Sequence, residues 1–212
     1  MASFSVQGKN VVITGASSGI GKELSACFAQ QGANCFLGCL PAERNQLTSW
    51  AEKLRQEHAV RVHLFPLDLS QAEGPEQFHA SIRALGEPIH VLVNNAGIIA
   101  YGSFGDLPLE LQEKIIHVNV IAYFKLMRLF LPQLTAAGEG RILNVVSASA
   151  FQPSPYLAVY GAGKAFIQML SEALNAELIG SGVRVQTLNP PYTNTPLLKG
   201  HGFPKQLWWY RI

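Results

Sequence analysis

Short runs of consecutive apolar, often β-branched residues alternate along the whole chain with longer amphipathic stretches. The runs cover residues 10–14, 34–39, 61–66, 90–94, 141–147 and 183–188, and helical periodicity fills 20–31, 42–58, 75–85, 109–137 and 156–180. Val11-Val12-Ile13 and Val91-Leu92-Val93 are apolar at successive rather than alternate positions, as in strands covered on both faces. Such a βαβ alternation predicts an α/β fold, a doubly wound parallel sheet of six strands in the order 3-2-1-4-5-6 with helices on both faces. Gly32, Gly86 and Gly180-Ser181-Gly182 stand where the first, third and fifth helices should close. No repeat, low-complexity tract or linker divides the chain, so a single domain over residues 1–212 is expected.

Composition narrows the function classes. With 48% hydrophobic residues and a net charge of +2, disorder is excluded as the general state, and the 16 basic residues are scattered singly rather than gathered into a stripe that would track nucleic acid. The three cysteines, Cys27, Cys35 and Cys39, lack metal or redox spacing and read as buried thiols. The six histidines likewise show no ligand spacing, so no metal is expected. Neither a signal-like start nor an 18-residue uncharged apolar stretch occurs, which predicts a cytoplasmic protein without a membrane span.

Directly after the first strand comes Thr14-Gly15-Ala16-Ser17-Ser18-Gly19-Ile20-Gly21, and a helix opens at its end. Gly15 permits a tight turn, Gly19 a close backbone approach to a ligand, and Gly21 close helix–sheet packing, while the helix N-terminus offers N–H groups to a pyrophosphate. A dinucleotide fits that arrangement; an ordinary glycine-rich turn is the plainer alternative. The wider G-x3-G-x-G spacing resembles that of the short-chain dehydrogenase/reductase family. The resemblance continues through Asp68-Leu69, Asn94-Asn95-Ala96-Gly97, Asn119, Ser147, Tyr160 and Lys164, in family order from residue 8 to about 198. It implies a Rossmann fold, an adenine contact at Asp68 and Leu69, and cofactor-side support from Asn95, Ala96 and Gly97.

Tyr160 and Lys164 stand at i and i+4 on one helix face, and Ser147 ends the fifth run, at the carboxyl edge where open α/β sheets bind ligands. Hydride transfer between a nicotinamide and an alcohol or carbonyl carbon needs a matching proton transfer at oxygen. A tyrosine near its ordinary pKa of about 10 is a poor base at neutral pH, and an adjacent ammonium favours the phenolate. Lys164 is expected to lower the Tyr160 pKa in this way, with Ser147 holding the substrate oxygen. The family resemblance adds a ribose contact for Lys164 and a water-holding role for Asn119. Singly, each residue reads more plainly as packing, a solvated charge, a turn former or a satisfied buried amide; their joint order points to catalysis.

Cofactor choice is usually set at the end of the second strand, where a carboxylate holds the ribose 2′-hydroxyl. Here stand Cys39 and Leu40, with Ser17, Ser18, Lys22 and Arg44 as candidate phosphate contacts, so NADP(H) is favoured over NAD(H). Pro190-Pro191-Tyr192-Thr193-Asn194-Thr195 resembles the family's nicotinamide-contacting loop with proline in place of its glycine, leaving Pro190, Thr193 and Thr195 as candidate contacts. The family's seventh strand is missing, and a shortened or incomplete C-terminus is expected. The aromatic ending from Phe203 through Ile212 reads as packing, with a lid over the substrate or an interfacial anchor as alternatives. Phe151, Pro153, Leu157, Tyr192 and Leu197 are candidate pocket residues for a small-molecule alcohol or carbonyl substrate with an apolar body. Family resemblance implies a homodimer through the two long helices. The alternatives are a catalytically weak NAD(P)-binding sensor or scaffold and, more remotely, a methyltransferase.

Overall fold

A computed structural model describes residues 4–198 and residue 203. Its strands are β1 (Asn10–Ile13), β2 (Asn34–Cys39), β3 (Val62–Pro66), β4 (Val91–Asn94), β5 (Gly140–Val145) and β6 (Val183–Leu188). They form one parallel sheet in the order β3-β2-β1-β4-β5-β6, as the sequence implies. The main helices are α1 (Gly19–Gln30), α2 (Arg44–His58), α3 (Gly74–Arg83), α4 (Leu109–Ile116), α5 (Ala122–Ala136) and α6 (Ala158–Glu177).

Successive strand residues point to opposite faces, and both faces are dry. Val12, Phe36, Leu92 and Ile142 pack with Phe78 and Ile82 of α3, Phe130 and Leu134 of α5, and Ile167 of α6. Their neighbours Val11, Ile13, Cys35, Leu37 and Val93 pack with Ala29 of α1 and Leu47, Ala51 and Leu54 of α2. This two-sided burial explains why the strands read as unbroken apolar runs. Cys35 and Cys39 are buried free thiols, whereas Cys27 is exposed.

Three local features depart from the periodicity. Residues 109–137 do not form one regular helix: α4 and α5 are joined by a π-helical turn, His117–Ile121. The fifth strand stops at Val145, so Ser147 caps a 3-10 turn, Ala148–Ala150, instead of ending the strand. A second 3-10 turn, Pro41–Glu43, precedes α2. The continuous run Leu109–Ala136 has the length and mean hydropathy, 1.4, of a membrane-crossing helix. Within this fold its apolar side, Tyr123, Leu126, Met127, Phe130 and Leu134, is buried against the sheet. Phe203 stacks on Tyr101, and the remainder of the aromatic ending, 204–212, lies outside the described residues.

Phe130 is fully buried in the larger core. Phe130→Ala is expected to lower unfolding stability by about 3–5 kcal/mol, read from urea melts, because the cavity it leaves cannot collapse between sheet and helix.

Candidate active site

The carboxyl ends of the strands open on a cavity of about 450 Å³. One wall is the turn between β1 and α1. Gly15 adopts φ +65 and Gly21 leaves no room for a side chain: a Cβ there would stand 2.3 Å from the Gly15 carbonyl and from Asn95 Nδ2. Gly21 is therefore a packing glycine behind the wall, while Gly15, Ser17, Ser18, Gly19 and Ile20 line the cavity. Ser18 is the extended N-cap of α1, whose first-turn N–H groups have no intrahelical partner and suit an anionic group.

The turn after β4 is locked to the turn after β1. Thr14 Oγ1 accepts from the N–H groups of Asn95 and Ala96 at 2.9 and 3.0 Å, and Asn95 Nδ2 donates to the carbonyls of Thr14 and Gly15. Asn95, Ala96 and Gly97 thereby become a second wall, joined by Asp68 and Leu69. Asp68 accepts from the Ser70 N–H at 2.9 Å and from Gln71 Nε2. Burial pushes its carboxyl up, but those bonds and the Lys114 charge outweigh it and leave Asp68 below the usual carboxylate range.

Ser147, Tyr160 and Lys164 converge on the same cavity from β5's extension and α6. The Ser147 hydroxyl stands beside the Tyr160 phenol and accepts from the Ser149 N–H at 3.1 Å. Lys164 is 3% exposed; its Nζ donates to the Val145 carbonyl at 2.8 Å and lies 5.7 Å from the centre of the Tyr160 ring. Burial alone pulls the Lys164 pKa down to about 7. Burial likewise raises the Tyr160 phenol, with the neighbouring Ser147 hydroxyl pulling the other way. Lys164 is expected to lower the tyrosine; burial instead raises Tyr160 and lowers Lys164.

Asn119 sits on the π-helical turn, fully buried and outside the cavity wall. Its amide closes both ends of one residue, Oδ1 accepting from the Ile98 N–H at 2.9 Å and Nδ2 donating to the Ile98 carbonyl at 2.8 Å. A Cβ on neighbouring Gly97 would stand 3.3 Å from Asn119 Oδ1 and 3.9 Å from Lys164 Nζ, so the β4 turn packs closely against both groups here. The loop after β6 supplies Pro190, Pro191, Tyr192, Thr193 and Thr195 to the lining. The Pro190 carbonyl accepts from the Ala148 N–H at 3.1 Å, and Thr195 closes over the first turn, 3.3 Å from where a Gly19 Cβ would stand. Of the apolar candidates, Tyr192 and Leu197 line the cavity and Leu157 packs beside Tyr160. Phe151 and Pro153 are solvent-exposed and outside the lining, because the 3-10 turn carries them outward.

Two groups escaped the sequence reading. Tyr123, buried on α5, donates to the Val145 carbonyl at 3.1 Å beside Lys164. Glu43 lines the cavity at the end of β2; its only advance signal was Pro41 two residues before a glutamate, the sequence of a turn that folds a carboxylate back on its own start.

Residues 9–202 match the family model described as short chain dehydrogenase. The chain belongs to the short-chain dehydrogenase/reductase family. Among relatives in this family, a very-long-chain 3-oxoacyl-CoA reductase from Anas platyrhynchos is 34% identical over 195 residues, 89% of this chain and 61% of that one. The chain spans about three fifths of the length of several curated short-chain dehydrogenase/reductase relatives. A short-chain dehydrogenase from Sphingobium yanoikuyae in complex with NADPH superposes with a TM-score of 0.86 at 34% identity, covering 92% of this chain and 76% of that one. A bulky-bulky ketone specific alcohol dehydrogenase from Comamonas testosteroni gives 0.82 at 31% identity, covering 88% and 74%.

The buried Lys164 has a signature in solution. Its pKa of about 7 lies below the ordinary 10.5, so the unfolded chain binds more protons between those values and stability rises with pH across that window. Lys164→Met is expected to flatten this rise in thermal melts recorded from neutral to alkaline pH.

Proposed function

We propose that the chain is a nicotinamide-dependent oxidoreductase acting on an alcohol or carbonyl substrate with an apolar body. The convergence of Ser147, Tyr160 and Lys164 on one cavity carries this reading. The cavity suits a dinucleotide: it runs from the glycine turn and the α1 N-terminus, past Asp68 and Leu69, to Thr193 and Thr195, and Gly19 and Gly97 keep its walls clear of side chains. A bound nicotinamide would supply the hydride donor or acceptor.

The remaining work falls to the chain's own side chains. Ser147 would donate to the substrate oxygen and stabilise charge developing there. Tyr160 would exchange a proton with the substrate oxygen as the general acid/base. Lys164, fixed by Val145, would hold the ribose, and Asn119 would act by securing Ile98 and the adjoining wall. Tyr192, Leu197 and Leu157 would meet the apolar body, in keeping with the ketone specificity named for the Comamonas relative. The preference for NADP(H) expected from Cys39 and Leu40 has the NADPH of the Sphingobium complex in its favour and the carboxylate of Glu43 against it. Exposed Phe124 on α5 and Phe166 and Met169 on α6 support a homodimer through these helices.

Tyr160→Phe is expected to lower turnover of a panel of apolar ketones by about 10²–10⁴-fold while leaving dinucleotide affinity within a few-fold of the native value. Turnover persisting near the native rate would remove Tyr160 from the chemistry. Met169→Glu is expected to shift the sedimentation profile towards monomer.

A further inference from the structure

The corner of the cavity between the glycine turn and the end of β2 carries a negative charge from outside the strand. Leu40 is extended, Pro41–Glu43 turns back on it, and Glu43 Oε2 accepts from the Leu40 N–H at 3.3 Å. The same oxygen accepts from Ser17 Oγ at 2.8 Å, and Gln46 Nε2 donates to the Ser17 carbonyl at 2.8 Å. Ser17 is 3% exposed, so the carboxylate is anchored to a rigid part of the turn. Glu43 lines the cavity beside Ser17, Ser18, Cys39 and Leu40.

Among the nearby cations, Arg44 acts at Cys39, where it opposes Glu43 with the smaller effect. The Lys22 ammonium lies 4.4 Å from the centre of the Trp50 ring. Lys114 lines the cavity beside Asp68, whose carboxyl it helps to hold down. Arg44 is exposed and outside the cavity lining. The corner is therefore acidic, although no acid stands at Cys39 or Leu40.

We propose that Glu43 makes the site select NAD(H) over NADP(H), accepting the 2′-hydroxyl of the adenosine ribose and repelling a 2′-phosphate. This rests on the reading of the cavity as a nicotinamide dinucleotide site. A pyrophosphate at the α1 N-terminus directs the adenosine ribose to the end of β2. A carboxylate has acceptor positions on both oxygens, so one committed to Ser17 and Leu40 still accepts a hydroxyl. A 2′-phosphate brings two more negative charges and no proton to share, and it would compete for the Ser17 hydroxyl that Glu43 already holds. The Sphingobium relative shares the fold while binding NADPH; the discriminating carboxylate belongs to the turn built by this chain's Pro41–Glu43.

The test is calorimetric titration of the native chain and of Glu43→Gln with NAD⁺ and NADP⁺, and with 5′-AMP and 2′,5′-ADP to isolate the corner. The native chain is expected to bind NAD⁺ at least about tenfold more tightly than NADP⁺, and Glu43→Gln to erase that ratio chiefly by gaining affinity for NADP⁺ and 2′,5′-ADP. Native binding of NADP⁺ as tight as or tighter than NAD⁺ overturns the proposal, and does so without reference to the variant. An unchanged ratio in a folded Glu43→Gln overturns it too. Binding of neither dinucleotide by the native chain overturns the nicotinamide reading itself and the proposal with it.

Discussion

The site depends on one polar lock between two turns that are far apart in sequence. Thr14 ends the first strand's path and Asn95 begins the turn after β4, and four hydrogen bonds from Asn95 and Ala96 to Thr14 and Gly15 join the two halves of the sheet at the point where strand order reverses. The side chains are buried or half-buried, so each bond is shielded from water, and losing one partner would leave the others' donors unsatisfied. Gly21 belongs to the same lock by subtraction, since any side chain there would collide with Asn95 Nδ2. The glycine pattern therefore does two things: it leaves backbone open to a ligand at Gly19, and it lets Asn95 reach the turn from behind.

From that lock the geometry passes down the second wall. Asn95 fixes Gly97, and the residue after it is clamped at both ends by Asn119, which reaches it from a helix widened to a π turn at that position. A wide turn of this kind interrupts regular helical bonding and is common at functional sites. Facing Gly97 beside Asn119 lies Lys164, whose ammonium shares the Val145 carbonyl with the Tyr123 hydroxyl. The wall, the lysine and the end of β5 are thus parts of one buried polar cluster, and Tyr123 brings a hydroxyl into it without itself lining the cavity.

Much of this was legible in the sequence because it depends on local pattern. Unbroken apolar runs such as Val91-Leu92-Val93 follow from burial on both faces, and glycine placement after β1 follows from turn geometry. The order of Ser147, Tyr160 and Lys164 likewise pointed to one pocket, and the three do line a single cavity. What could not be read was anything decided by desolvation or by a side chain folding back across the chain. The electrostatic partnership of Tyr160 and Lys164 came out differently because spacing gives their proximity and says nothing about how dry both are. Glu43 was missed because a carboxylate four residues beyond β2 reaches the cavity only through the turn at Pro41. Phe151 and Pro153 were misplaced because their direction is set by the 3-10 turn that Ser147 caps.

The entry to α6 shows how Tyr160 is held facing Ser147. Tyr156, two residues before that helix, has φ +66, a conformation that costs a residue with a side chain about 1–3 kcal/mol and persists only where its surroundings impose it. They do so here: the Gly102 N–H donates to the Tyr156 carbonyl at 3.0 Å, and the Tyr156 ring lies 5.3 Å from that of Tyr101. Tyr101 and Gly102 belong to the loop after β4, the same loop that Asn95 and Asn119 fix further back. The strained turn then sends Leu157, 2% exposed, into the cluster that contains Tyr160, and the Gly161 N–H closes the first turn of the helix on Leu157 at 2.8 Å. Tyr160 consequently faces Ser147 because the β4 loop dictates where its helix begins. A change at Tyr101 or Gly102 would therefore reach the phenol through the backbone, by relaxing Tyr156, without any contact to the reacting oxygen.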